Sequence, residues 1–454
     1  MSRNKTYPLI LYICFGILVV GGLVLVFAPP FFSLPDPKIK PDADSSIGMV
    51  SSIKLTFPES MNTNSVESRI QIIPETHVKF SWINKTLIIF PDSAFMAGKN
   101  LTIKLISGAS SLDGRTLKSD YVWTYSIRSP RIAFLGQATT SPEIFLADGN
   151  GTVTKITETR GNIIDFAALP DGSGFVYSVK NSSGGSDIHE ISIDSQKDVK
   201  ILDCMKESCG DPAVSNDGHL MAFSWNHDPM DGSTSIRSYI YTMILDEGKY
   251  SPEPLAEEKN MPGILPSFSP DGKKIAFYDS IGKGIRVMIP EGKNNFLLGT
   301  SRIQRGTWSP DGSHMVFVDD MPGHDDVFSK LYSVDLGSST ISEPMVGQLD
   351  DIELGEPDWS PDGRFLVAGV RKSDGPVSRQ IWLINLETKE IKQITDNYSL
   401  INAAPKWRPD GDEIVFQQAQ MGTSDVKPRI AKWNKDDGNI TIIANDAALP
   451  NWVP

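Results

Sequence analysis

Cysteine is scarce, with three residues in a chain of 454. None of them stands in a C-x-x-C pair, so the zinc and redox sites built on that spacing are not expected. Histidine is scarce too. His77, His189, His219, His227, His314 and His324 are scattered and form no ligand spacing. Positive charge is in deficit, with 43 Lys and Arg against 56 Asp and Glu and a formal net charge of −13. A chain without a basic stripe is a poor nucleic-acid binder, because neutralising phosphates takes clustered cations. Helical periodicity is sparse. The patterns G-x-S-x-G, H-E-x-x-H, G-x-G-x-x-G and Walker A are missing. No catalytic residue, metal set or cofactor is therefore expected.

What is present is turn chemistry and short strands. Gly (37) and Pro (31) are frequent, and brief Val, Ile, Phe and Trp runs recur, which points to an all-β chain. The N-terminus is the exception. Leu9 to Ala28 is about 20 residues without charge, enough to span a hydrocarbon core. Arg3 and Lys5 precede it, which keeps residues 1–8 cytoplasmic and puts the rest outside. No small-x-small site follows the run, so a transmembrane anchor over residues 9–28 is expected in place of a cleaved signal peptide. A Pro-, Asp- and Ser-rich linker then extends to residue 46. In an oxidising compartment Cys204 and Cys209, in DCMKESCG, are expected to form a structural short-loop disulfide.

Residues 47–129 alternate in period 2. Examples are Ile53-Lys54-Leu55-Thr56-Phe57, Val78-Lys79-Phe80-Ser81-Trp82 and Tyr121-Val122-Trp123-Thr124-Tyr125. Such strands, with turns between them, predict a small β-sandwich. The stretches LTFPESMNTNSV, LIIFPDSAFMAGKNLTIKL, LDGRTL and YVWTYSI resemble bacterial Ig-like domains of surface proteins. That resemblance implies a spacer or adhesion module, not a catalyst.

From residue 130 to 454 the chain repeats. WSPDG stands at Trp308–Gly312 and again at Trp359–Gly363, with FSPDG at Phe268–Gly272 and WRPDG at Trp407–Gly411. The turn aspartates are Asp171, Asp217, Asp271, Asp311, Asp362 and Asp410, spaced about 40–54 residues apart. That spacing suits propeller blades of four strands. The first three strands after residue 130 lack an innermost partner, and Leu449–Pro454 is an innermost strand with nothing after it. Together they complete one blade. The expectation is a seven-bladed propeller, with six as the alternative, closed by pairing the two chain ends. The repeats resemble those of TolB-like β-propellers. The resemblance implies an extracytoplasmic propeller that binds proteins, peptides or saccharides at its channel mouth. The chain ends inside the closing strand, so no further catalytic domain is expected.

In x-Pro-Asp-Gly every residue has a turn role. Pro presets φ, Asp bonds nearby N–H groups and Gly takes the left-handed conformation of a type I turn with a G1 bulge. The aromatic before the turn is expected to pack between blades. No copy has the alternating oxygen ligands of a calcium loop. The acidic loops His227-Asp228 and His324-Asp325-Asp326 read as solvated. A different position varies from repeat to repeat, three residues before each aromatic: Asp165, Asp211, Leu265, Arg305, Glu356, Ala404 and Leu449. Asp165, Asp211, Arg305 and Glu356 are the candidate ligand-binding residues, a polar mouth for a ligand with a cationic group.

The expected function is a membrane-anchored, extracytoplasmic binding or scaffold protein without catalysis. It would attach through its helix and bind an envelope protein, peptide or polysaccharide. One rival is a propeller enzyme, a lyase or hydrolase acting on saccharides. Two carboxylates facing one channel, one of them with a raised pKa, would favour that rival. Another is a sensor signalling through its membrane helix.

Overall fold

The computed structural model describes residues 34–227, 237–245, 248, 250–255, 262–289, 296–321, 328–343, 352–355, 357–422 and 427–454. The anchor expected over 9–28 lies outside them, as do the acids of the 228 and 324–326 loops and Glu356. No helix among the described residues is long and apolar enough to cross a membrane. The chain divides into two compact units. One holds the described residues up to Ser45, Ile53–Ile89 and Asn100–Tyr125; the other holds Ser46–Ser52, Phe90–Lys99 and Ser126–Pro454.

The N-terminal strands form two four-stranded sheets. One runs Lys38–Lys40, Ile53–Thr56, Thr86–Pro91, Val78–Ile83. The other runs Ser46–Ile47, Tyr121–Ile127, Asn100–Leu105, Ile70–Ile73. Alternation decides which side chains turn inward: Ile53 and Leu55 are buried, as are Leu101, Ile103 and Leu105. A short helix, Thr63–Glu67, is capped by the Asn62 carboxamide, whose Oδ1 accepts the Ser65 N–H at 3.1 Å. Its Glu67 accepts the indole N–H of Trp82 at 2.8 Å. Part of the segment read as linker is strand. Lys38–Lys40 pairs with Ile53–Thr56, Ile39 lying opposite Leu55. Three residues flanked by prolines carry too little pattern to announce a strand.

After residue 130 the chain makes antiparallel sheets in succession. Ile163–Ala168, Gly174–Lys180, Ser186–Ser192 and Asp198–Leu202 come first. Ser208–Val214, Leu220–His227, Arg237–Ile244 and Glu253–Pro254 follow, linked to the preceding strands by one parallel bridge, Ser186 to Ser208. Later sheets are built on Ile275–Asp279, His314–Asp320, Phe365–Lys372 and Glu413–Gln420 as second strands. These second strands are buried on both faces, as in Ile275-Ala276-Phe277-Tyr278-Asp279, which explains their unbroken apolar runs. The outermost strands, Val153–Lys155 and Thr340–Ser342, are exposed throughout. The last strand, Ala447–Val453, pairs with Arg131–Gly136, placing Trp452 opposite Ile132. The two ends of this stretch therefore share one sheet with Glu143–Ala147 and Val153–Lys155.

Neighbouring sheets are joined by apolar clusters. Ala276, Ile285 and Val287 pack with Met315, Phe317 and Val334, and Trp308 lies against them. Trp452 packs with Val415 and Ile430 of one sheet and Ile132 and Phe134 of another. The tryptophans also donate their indole N–H to the sheet before: Trp308 to Ser267 Oγ at 3.1 Å, Trp359 to Thr307 O at 3.2 Å and Trp452 to Lys406 O at 3.1 Å. These three aromatics are thus inter-sheet wedges with a polar handle, whereas Trp407 is packed in the same way with its indole N–H unpartnered among the described residues.

Candidate functional site

The repeated aspartates serve turns. Asp311 Oδ1 accepts Ser309 Oγ at 2.6 Å and the Ser313 N–H at 3.0 Å, and Gly312 N donates to Ser309 O at 2.8 Å. Asp217, Asp271 and Asp362 repeat the serine and N–H contacts. Asp171 takes both of its contacts from Ser173. Each following glycine is left-handed, from φ 67° at Gly172 to 81° at Gly411. Burial pushes the Asp311 carboxyl up, but the bonds from Ser309 and Ser313 outweigh it and hold it at about 2. Asp410 has Arg408 where the other turns have serine or leucine. There burial prevails and the carboxyl is raised.

The variable position has a different geometry. Asp211, Leu265, Ala404 and Leu449 have φ of 50°, 57°, 49° and 53°. Each sits inside a register shift of its innermost strand: Gly210/Ala213, Ile264/Ser267, Ala403/Lys406 and Ala448/Asn451. The next residue is a proline in every case, Pro212, Pro266, Pro405 and Pro450. A bulge leaves an N–H without a ladder partner, and proline has none to leave. This X-Pro signal was readable in the sequence and was missed.

Bulges re-aim side chains, and the charges of Arg305 and Asp211 both act on Asp165. Asp165 lies at the shift between Ile163 and Asp165, and its Oδ1 accepts the Phe166 N–H at 2.8 Å. Burial pushes its carboxyl up, Arg305 pulls it back and Asp211 adds to the rise, leaving it at about 6. Asp165 and Asp211 stand on two strands of one sheet, and Arg305 lies in the segment before Thr307–Trp308. Asp211 Oδ2 accepts Ser224 Oγ at 2.8 Å and reaches the Leu265 N–H of the next sheet at 3.3 Å. Arg305 precedes a two-residue strand, so backbone pairing does not hold it. The buried Gln304 substitutes: its amide donates to Thr300 Oγ1 at 3.2 Å and to Val318 O, and its Oε1 accepts the Val318 N–H at 3.1 Å. Glu356, the fourth candidate, lies outside the described residues. Exposed apolar side chains, Ile164 at 43% and Leu449 at 45%, adjoin or occupy the variable position. Cys204 and Cys209 are disulfide-bonded, with Cα atoms 6.2 Å apart. Among the described residues no group of three or more His, Cys, Asp or Glu is arranged to hold a metal ion.

The bacterial Ig-like domain family matches residues 38–127. The Tol-Pal system protein TolB of Francisella tularensis is 26% identical over 264 residues, 54% of this chain and 54% of that protein. The chain thus carries a match to the bacterial Ig-like domain family and, beyond it, is similar to TolB of the Tol-Pal system. An uncharacterised protein of Agrobacterium fabrum is 26% identical over 200 residues, 41% of this chain and 64% of its own length. The chain thus spans about half to two-thirds of the length of these relatives. In structure it is similar to oligogalacturonate lyase from Vibrio parahaemolyticus. The TM-score is 0.53 at 14% identity, covering 67% of this chain and 87% of the lyase. At that identity the likeness concerns the fold alone. Fold likeness therefore does not choose a function for this chain.

Proposed function

We propose that this protein is an extracytoplasmic binding protein, held at the cell membrane by residues 9–28, whose propeller mouth takes a ligand bearing a cationic group. Residues 47–129 act as spacer and residues 130–454 as a propeller of seven blades, six being the alternative. The observation that supports the reading is the Asp165 carboxyl, raised to about 6 by desolvation and acted on by the charges of Arg305 and Asp211. A buried carboxylate that pays to ionise gains most from an incoming cation.

The test is titration of the full chain with trilysine and triglutamate as charge probes. Trilysine should bind, and should bind about tenfold more weakly to Asp165→Asn or Asp211→Asn, as expected for one lost charge contact. Equal binding of both peptides, or binding indifferent to both substitutions, contradicts the reading. Capture from envelope proteins and cell-wall polymers, with the same two variants as controls, then identifies the partner.

One observation favours a second reading. A carboxyl raised to about 6 beside a second carboxylate is also the arrangement of a general acid in saccharide cleavage. Incubation with neutral and uronic oligosaccharides decides it. Products formed by the wild type and not by Asp165→Asn support catalysis; an unchanged substrate panel supports binding alone.

A further inference from the structure

A hollow of about 380 Å³ opens beside Asp211, between the Gly174–Ser192 hairpin and the strands that follow Ser208. Its size is that of a small-molecule site. Two exposed or half-buried isoleucines, Ile164 and Ile264, give it an apolar side.

The wall is built, not fluid. Asn181 spends its whole carboxamide on the hairpin. Its Nδ2 donates to Asp187 Oδ1 at 2.8 Å and Met205 O at 2.7 Å, while its Oδ1 accepts the Ser183 and Gly185 N–H groups at 3.0 Å. Ser186 Oγ donates to Cys209 O at 2.8 Å, next to the disulfide. Ser224 Oγ is committed to Asp211.

One polar atom of the lining residues stands uncommitted. Asn226 Oδ1 is buried and has no hydrogen-bond partner among the described residues. An amide oxygen buried in this way costs free energy until a donor reaches it. Ser208 and Ser238 line the same space, and Lys180 stands exposed at its rim. Acceptors, hydroxyls and one donor therefore surround a small apolar face.

We infer that this hollow binds a saccharide unit. A pyranose presents hydroxyls that donate and accept in turn, and an apolar C–H face. The hydroxyls answer Asn226, Asp211 and the two serines, and the C–H face answers the isoleucines. A zwitterionic peptide end is a poorer match, because its carboxylate would depend on Lys180, exposed and screened by water. The inference goes beyond the mouth-binding reading, which places a cationic group beside Asp165, and adds a neutral saccharide unit in the neighbouring hollow; Asp211 belongs to both places.

The test is calorimetric titration of the full chain with cellobiose, N,N′-diacetylchitobiose and glycylglycine. At least one disaccharide should bind. Its affinity should fall about tenfold in Asn226→Leu, the loss expected when one buried hydrogen bond is removed. Ser238→Ala, a milder change, should weaken it less and guards against misfolding of the first variant. Binding of glycylglycine alone, or of no probe, overturns the inference, as does a disaccharide indifferent to both substitutions. The two readings fail separately. Trilysine bound with no disaccharide bound removes only the saccharide assignment. A disaccharide lost in Asn226→Leu with trilysine unbound removes only the cationic mouth.

Discussion

Two aspartates in this chain are pushed in opposite directions, and each movement has a pH signature. Asp165 is raised to about 6 because burial disfavours its charge. A group with a raised folded pKa contributes stability below its unfolded pKa, and loses it as pH rises through the folded value. Asp165→Asn should therefore stabilise the protein on the order of 1–2 kcal/mol above pH ~6, with no difference below pH ~4. Urea unfolding across that range measures it. Asp311 is held at about 2 by its serine bonds. Its stabilisation is present above the unfolded carboxyl value and is lost as pH falls toward 2. Asp311→Ala should cost about 1 kcal/mol at neutral pH, discounted for its exposure, and less in acid. The comparison across the turns agrees: Asp410, with Arg408 in place of a serine, is raised.

Among the elements, the loop from Cys204 to Cys209 is the smallest that is covalently closed. It carries the Cys204 N–H that donates to Asp187 at 3.0 Å and the Met205 carbonyl that accepts from Asn181. Replacing both cysteines with serine should lower stability by about 2 kcal/mol, as a short closed loop warrants. Unfolding with and without reductant checks this. Reductant should reproduce the substitution in the wild type and do nothing to the variant. The strands themselves were largely legible in the sequence, because alternation and Pro-Asp-Gly turns are local. Lys38–Lys40 was not, since its partner Ile53–Thr56 supplies the pattern it lacks. The bulges at Asp211, Leu265, Ala404 and Leu449 were half legible. The variable position was visible, but its left-handed backbone and its proline were not connected to it.

At the scale of the whole molecule, Ala447–Val453 joins the chain's last residues to Arg131–Gly136. Trp452 fills the space between that sheet and Val415 and Ile430. Trp452→Ala should cost about 3 kcal/mol, the range for truncating a large buried aromatic. Thermal unfolding should show this as one lowered transition. The pairing of the chain ends was foreseeable, because an incomplete first repeat and an orphan last strand point to each other. That the charges of Arg305 and Asp211 act on Asp165 was foreseeable only as a shared level. Which charges face one another, and which carboxyl carries the strain, depends on distances between sheets that no single repeat encodes. The hollow beside Asp211 was not foreseeable, for its polar lining comes from a hairpin and two strands with no common motif.

The central claim is that half-buried acids at the proposed mouth receive a cation. Trilysine affinity measured as a function of pH tests it most directly. Binding should rise through pH ~6 as Asp165 ionises, and Asp165→Asn should be weak and flat across the same range. Affinity that ignores pH in the wild type, or that keeps its rise in Asp165→Asn, would contradict the account.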